Sequence, residues 1–423
     1  MDSIQDLTPE IQKRISGFEH FLEKEGLKRP EVKFTGAILA AMLKRHHVHL
    51  TVLARSLEEK ISPKKTWERL SRHISKNGLH EKLTDSNIKK NMTEIRQMRY
   101  CVLDVSDVQK IESEEMEGLS RVRDGSKKSG DNKAVIGNGY HWINGVMADR
   151  DEILSVYSEL YSLDHEGKEH TSENSKILGI TDKIHAVHKE AVFVIDRGGD
   201  RSKLINPMLK DDKYFVIRGD DKRSLRLHTD SGKATNIEVI ARRTKTPYPF
   251  RSERNGELFY VGIRRVYLGK ESLWLVVSRR QREKNSLSWY LTHVPGSRKA
   301  VMETAMEAYG LRWRVEEYHR QIKQDYKLEH ICLRKHSAIK NMCAIVMLAA
   351  AFCARLPKNL VIKLLVLSNQ LPHRRLTDIP RYPYYMITDA VAHALSCAVK
   401  RRPQPLRKRI RDYFQLKLAL KEI

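Results

Sequence analysis

The sequence predicts an α/β protein whose sheet carries a site at a strand terminus, with helical regions at both ends. Three observations predict it. Ala191-Val-Phe-Val-Ile195 is a short, fully apolar run that stops at Asp196, as a buried strand ending in an acid would. Residues 213–294 are dominated by β-branched and aromatic runs. Residues 1–95, and the chain from 295 onward, follow the helical period instead.

The elements follow in order. Glu31 to Leu57 carries a long amphipathic helical pattern. At Ile61-Ser62-Pro63 the chain turns, and Ser62 as N-cap with Pro63 at the first helical position starts a helix from Lys64 to Ser75. The two helices read as a helix-turn-helix or as a plain helical hairpin, with Lys64, Lys65, Arg69, Arg72 and His73 on the second. His46, His47 and His49 lack paired acidic or cysteine ligands nearby, so they read as a basic, DNA-facing helix surface rather than a metal site. From Tyr100 to Val108 a β-rich run is broken by Asp104 and Asp107. A polar stretch, Lys110 to Gly139, precedes strands at Tyr140–Ala148 and Ile153–Tyr161, a helix over Ser172 to Glu190, and the apolar strand before Asp196. Further strands are predicted at Tyr214–Arg218, Thr235–Ala241, Leu258–Leu268, Leu273–Arg279 and Ser288–Val294. After the Pro295-Gly296 turn a helix runs to Leu328, and 338–370 is a largely apolar helical region. The C-terminus carries a basic run, Lys400 to Arg411.

Bulk properties narrow the partner. A chain of 423 residues has room for two to four domains. Its net charge of +25 favours a polyanion, with nucleic acid as the default. A membrane surface is the alternative, but the longest apolar stretch, Cys343 to Leu356, is too short to span a bilayer and reads as a buried helix. The start of the chain does not read as a signal peptide. The cysteines (Cys101, Cys332, Cys343, Cys353, Cys397) are scattered and show no zinc spacing, as expected of reduced core thiols in a cytoplasmic protein.

The most informative segment is Tyr309-Gly-Leu-Arg312-Trp-Arg-Val-Glu316-Glu-Tyr-His-Arg-Gln-Ile-Lys323. At about 100° per residue, Tyr309, Arg312, Glu316 and Lys323 fall within an arc narrower than a third of a turn, and Arg320 joins them. One carboxylate among three cations and a phenol suits a helix that presents a metal-binding acid to a polyanion while gripping phosphates. The simpler reading is a solvated face of i,i+4 pairs such as Arg312–Glu316 and Glu316–Arg320. Asp104 inside an apolar strand and Asp196 at the end of another tip the balance. A buried acid costs several kcal/mol unless a cation satisfies it. Phosphodiester chemistry uses such acids to hold two Mg²⁺ ions, about 3.5–4 Å apart, on the attacking and leaving oxygens.

On these residues the chain resembles a DDE transposase of the insertion-sequence family four type, the Y-R-E-K signature group that includes the composite-transposon five and ten enzymes. Tyr309, Arg312, Glu316 and Lys323 match the signature at every spacing. The resemblance makes Glu316 the third catalytic acid and Asp196 the second. It makes Asp104 the first, because Leu103-Asp104-Val105-Ser106 fits the family's pattern, with Asp107 as the alternative metal ligand. It covers roughly residues 95–340.

The resemblance implies an RNase H-like catalytic core with an inserted all-β domain, flanked by N- and C-terminal helical regions. The expected division is 1–95, a helical DNA-binding region; 96–212, the first part of the core; 213–294, the β insertion; 295–335, the second part; and 336–423, a basic helical region for dimerisation. It also implies that Trp289 stacks an extruded base, that Arg218 contacts DNA, and that Arg320 stands where relatives carry a lysine. The expected activity is cut-and-paste transposition of an insertion sequence with two Mg²⁺ ions, Mn²⁺ able to substitute. The expected partners are terminal inverted repeats and target DNA, bound by a homodimer near the bacterial nucleoid. Rival classes are a non-mobile nuclease of the same fold and a catalytically inactive, transposase-derived DNA-binding protein.

Overall fold

The computed structural model describes residues 3–128, 134–150, 152–163, 172–220, 225–230, 234–253, 256–281, 286–368 and 383–397. The basic run 400–411 lies outside them.

Six helices open the chain: α1 (Thr8–Lys24), α2 (Arg29–Arg45), α3 (Leu50–Ser56), α4 (Pro63–Ile74), α5 (Leu79–Lys90) and α6 (Met92–Gln97). The expected long helix from Glu31 to Leu57 is two. It breaks at His46, which takes a left-handed conformation (φ 49°) and closes α2 through its N–H on the Met42 carbonyl. Farther on, Ser62 caps α4 as expected, its hydroxyl accepting from the Lys65 N–H at 3.4 Å. On α4, Lys64, Lys65, Trp67, Glu68 and Arg72 are exposed, while Thr66, Leu70 and Ile74 are buried.

The strands that follow are β1 (Tyr100–Gln109), β2 (Ser120–Lys128), β3 (Ala134–Ala148) and β4 (Ile153–Tyr161). The polar stretch from Lys110 to Gly139 thus holds β2 and the first part of β3, where partner strands override the weak local pattern. Next come α7 (Glu173–Val187), β5 (Val192–Ile195), α8 (Ser202–Lys210) and β6 (Tyr214–Arg218). Beyond them lie β7 (Arg226–His228), β8 (Ala234–Asn236), α9 (Ile237–Arg243), β9 (Tyr248–Arg251), β10 (Leu258–Leu268), β11 (Glu271–Arg280) and β12 (Ser288–His293). The strand expected at Thr235–Ala241 is mostly helix α9: Asn236 caps it, its amide oxygen accepting from the Glu238 N–H at 2.9 Å. The last helices are α10 (Arg298–Gln324), α11 (His336–Ala354), α12 (Lys358–Leu367) and α13 (Tyr384–Cys397). α10 stops short of the expected Leu328, and a left-handed Lys327 leads into a 3-10 turn at Leu328–His330.

All the strands among the described residues form one mixed sheet, ordered β3-β1-β5-β6-β12-β11-β10-β7-β8, with β2 and β4 on β3 and β9 on β10. β1, β5 and β6 run parallel, whereas β3 and β4 are antiparallel to their neighbours. Among the described residues, the 213–294 block builds no sheet of its own. Its first strand, β6, pairs in parallel with β5, and β12 extends the same sheet antiparallel to β6.

The sheet has helices on both faces, and strand alternation sorts side chains between two cores. Tyr100, Val102, Val194, Val216 and Tyr290 face the core shared with α10, α11 and the N-terminal helices. Cys101, Leu103, Phe193, Ile217 and Trp289 face the core shared with α7, α8 and α9. α11 is long and apolar enough to cross a bilayer, but nearly three quarters of its most apolar stretch is buried inside this fold, packed on β4.

Candidate active site

Asp104 lies within β1 two residues beyond Val102, so its side chain faces α10. Asp107 is offset by an odd number and faces the opposite side of the sheet, where it accepts from Gln109 Nε2 at 3.3 Å. Asp196 follows β5 at once. The chain then turns sharply through Gly198 (φ 105°) and Gly199, where an added Cβ would come 2.6 Å from Ile195 Cγ2. Because β1 and β5 are parallel neighbours, both acids leave the sheet at the same edge, opposite α10.

α10 completes the cluster. Its N-cap Ser297 accepts from the Ala300 N–H at 3.3 Å, and Val301, Ala305, Ala308, Val315 and Ile322 bury its apolar face. Arg312 bridges Asp196 and Glu316, with Nη1 3.3 Å from Asp196 Oδ2 and Nη2 bound to Glu316. The Tyr309 hydroxyl donates to Asp196 Oδ1 at 3.3 Å and accepts from Arg218, whose guanidinium stands 4.9 Å from the Tyr309 ring centre. Tyr290 packs against Tyr309 at 5.0 Å between ring centres. Lys323 donates to the Asp107 carbonyl at 2.8 Å and pairs with Glu329 at 3.3 Å.

Burial pushes the Asp104 carboxyl up to about 7; Arg312 pulls against this rise, and the like charges of Asp196 and Glu316 add to it. Two residues that the sequence reading did not single out complete its surroundings. His319 Nδ1 stands 3.4 Å from Asp104 Oδ2, and Asn144 Nδ2 donates to His319 Nε2 at 3.1 Å. Burial lowers the imidazole to about 3, with Lys323 and Arg312 acting in the same sense, so the ring is neutral. A signal was available for His319. At offset 10 from Tyr309 it sits about 20° from Arg312 around the helix.

Several expected residues stand elsewhere. Trp289 is not at this site. It is 5% exposed, lies in the core on the far face of the sheet, and its Nε1 finds no partner among the described residues. Alternation makes its neighbour Tyr290 the β12 aromatic that reaches Tyr309. Arg320 turns outward to Glu317 at 2.8 Å, so the expected Glu316–Arg320 pair does not form. The histidines form no DNA-facing helix surface. His46 is half-buried against Tyr326 and desolvation lowers it to about 4, while His47 and His49 lie in the loop after α2. Cys332 departs from the buried-thiol expectation: it is exposed and 3.4 Å from His49 Nε2.

Among the described residues, no group of three or more His, Cys, Asp or Glu side chains is drawn tightly enough together to hold a metal ion. Arg312 stands between Asp196 and Glu316 instead. The donor chemistry nevertheless fits a hard divalent cation. The three acids offer oxygens only, and Asp104 is a half-buried carboxyl crowded by two like charges.

Residues 152–352 match the family model described as the transposase DDE domain. The match spans just under half of the chain, takes in Asp196 and the α10 segment from Tyr309 to Lys323, and begins downstream of Asp104. It supports a DDE transposase. No curated protein matches the chain.

Proposed function

We propose that this protein is a DNA transposase that cuts an insertion sequence out of flanking DNA and joins it to a target. The observation that carries the reading is Arg312 pairing with both Asp196 and Glu316, with Asp104 near enough to feel the charge of all three, within and beside the matched transposase domain. The strand order β4-β3-β1-β5-β6, antiparallel then parallel, supports an RNase H-like core.

Asp104, Asp196 and Glu316 would hold divalent ions, two Mg²⁺ with Mn²⁺ as a substitute. Bound there, such ions activate the attacking oxygen and stabilise the leaving one. Asp104 rather than Asp107 serves as the first ligand, because only Asp104 shares the face with Asp196 and α10. Arg312, Arg218, Tyr309 and Lys323 line the same edge and grip phosphates beside the scissile bond. Tyr309 and Arg218 form a joined aromatic and cationic surface there, suited to the DNA backbone and an unstacked base. Water attacks at the element end, and the freed 3′-hydroxyl then attacks the opposite strand and later the target. The exposed basic face of α4 binds terminal inverted repeats, and two copies of the chain pair the ends. The site of action is the bacterial nucleoid.

The test is cleavage of DNA carrying the element's ends by wild type, Glu316→Ala, Asp104→Ala and Asp107→Ala with Mg²⁺. The reading requires nicking and strand transfer by wild type and by Asp107→Ala only. Cutting without transfer would point to a nuclease. Binding without cutting under any divalent metal would point to a DNA-binding derivative.

A further inference from the structure

His319 has no part in the reaction described above, yet it is the residue best arranged to act on Asp104. It lies one turn beyond Glu316 on α10 and points into the sheet rather than along the acidic edge. Its ring packs on Trp142 of β3, 4.7 Å between centres and 36° between planes. Its Nε2 meets Asn144 Nδ2 at 3.1 Å, and Asn144 is the residue directly across the β1–β3 ladder from Asp104. An amide nitrogen can only donate, so Nε2 is the acceptor and the ring proton lies on Nδ1. Nδ1 is the atom 3.4 Å from Asp104 Oδ2. That distance is long for a formed hydrogen bond, as such contacts often are before a site is filled. A strand partner, an indole face and a helix thus all aim one N–H at one carboxylate oxygen.

We propose that His319 is a positioning residue: its Nδ1–H, aimed by Asn144 and Trp142, holds the Asp104 carboxylate turned toward Asp196 and Glu316 for a divalent cation. This rests on the metal-binding reading of the three acids. A histidine that merely fills the core would affect folding alone.

The test is Mn²⁺ titration of the full chain without DNA, followed by water-proton relaxation, for wild type, His319→Ala, His319→Asn, Asn144→Leu and Asp104→Ala. Thermal melts in EDTA run alongside. His319→Ala should weaken Mn²⁺ binding by about tenfold or more. His319→Asn, which puts an amide N–H near the place of Nδ1, should recover most of that loss. If His319→Ala does not fold, Asn144→Leu gives the same reading, because it leaves the histidine and removes what aims it. Wild-type affinity in His319→Ala or Asn144→Leu overturns the proposal, as does an Asn variant no better than Ala. If Asp104→Ala also binds Mn²⁺ like wild type, the metal-binding reading of the acids fails as well, which separates the two failures.

Discussion

Replacing Asp104 by asparagine should stabilise the metal-free protein, and the gain should grow with pH. Burial holds the folded carboxyl at about 7, against 3.8 for the free side chain. Between those values the folded chain keeps a proton that the unfolded chain has released. Stability supplied by the protonated acid is therefore complete below pH 4 and is lost as pH rises through 7. At about 1.4 kcal/mol per pH unit, a shift of roughly three units amounts to about 4 kcal/mol at most by pH 8. Asparagine has the same shape and no charge to bury, so it escapes that loss. Melts of wild type and Asp104→Asn in EDTA from pH 4.5 to 8.5 should lie close together at the acid end, about 1 kcal/mol apart, and separate by several degrees above pH 7.5. Added Mg²⁺ should raise only the wild type. An Asp104→Asn protein less stable than wild type at pH 8, or a difference that does not vary with pH, would refute the reasoning. Asp107→Asn, on the other face of the sheet, should shift stability by no more than about 0.5 kcal/mol.

Other residues give sharp expectations. Glu159 is buried between Lys176 at 3.0 Å and Lys340 at 2.6 Å, with the Tyr157 hydroxyl on its second oxygen at 2.6 Å; against its burial, His80 first and then the two lysines hold it well below the usual carboxylate range. Glu159→Ala removes the acid that both half-buried ammonium groups share and should cost about 3 kcal/mol in urea denaturation. Trp289→Ala should cost about 3–5 kcal/mol as a core deletion, while folded Trp289→Phe keeps DNA-end binding by gel shift. Gly219→Ala should disturb the end of β6, because its Cβ would meet Trp289 Nε1 at 1.9 Å; a melt at least 3 °C lower is expected, about 1–2 kcal/mol in a chain this size. Arg312→Ala removes the cation between Asp196 and Glu316 and should abolish cleavage while lowering the melting temperature in EDTA more at pH 8 than at pH 5, since only ionised acids repel.

Arg312 has a wider consequence for the site. In this arrangement its guanidinium neutralises the acids that a cation would otherwise satisfy, and it stands 5.8 Å from the Tyr309 ring centre. Under the proposed function, a phosphate arriving at this edge would compete for the same group, and DNA and divalent metal would then each favour the binding of the other.

Sequence alone determined the parts that depend on near neighbours. Helical geometry puts Tyr309, Arg312 and Glu316 on one face wherever α10 lies, and the structure keeps them together. The charge of +25 and the acids in or after apolar strands are equally local facts. The cap at Ser62 was legible for the same reason. What lay beyond reach was which face of each strand would meet α10. Period-two alternation separates Asp104 from Asp107 and Tyr290 from Trp289, but only the order of strands in the sheet assigns one set to the site. The same long-range pairing turns β6 into a parallel neighbour of β5 and sets Asn144 opposite Asp104. His319 gains its meaning there too, since a histidine on a helix becomes a partner for Asp104 only once a sheet closes over it. Local periodicity set the helix face and the strand ends, whereas burial and pairing between residues far apart in the chain decided what they meet.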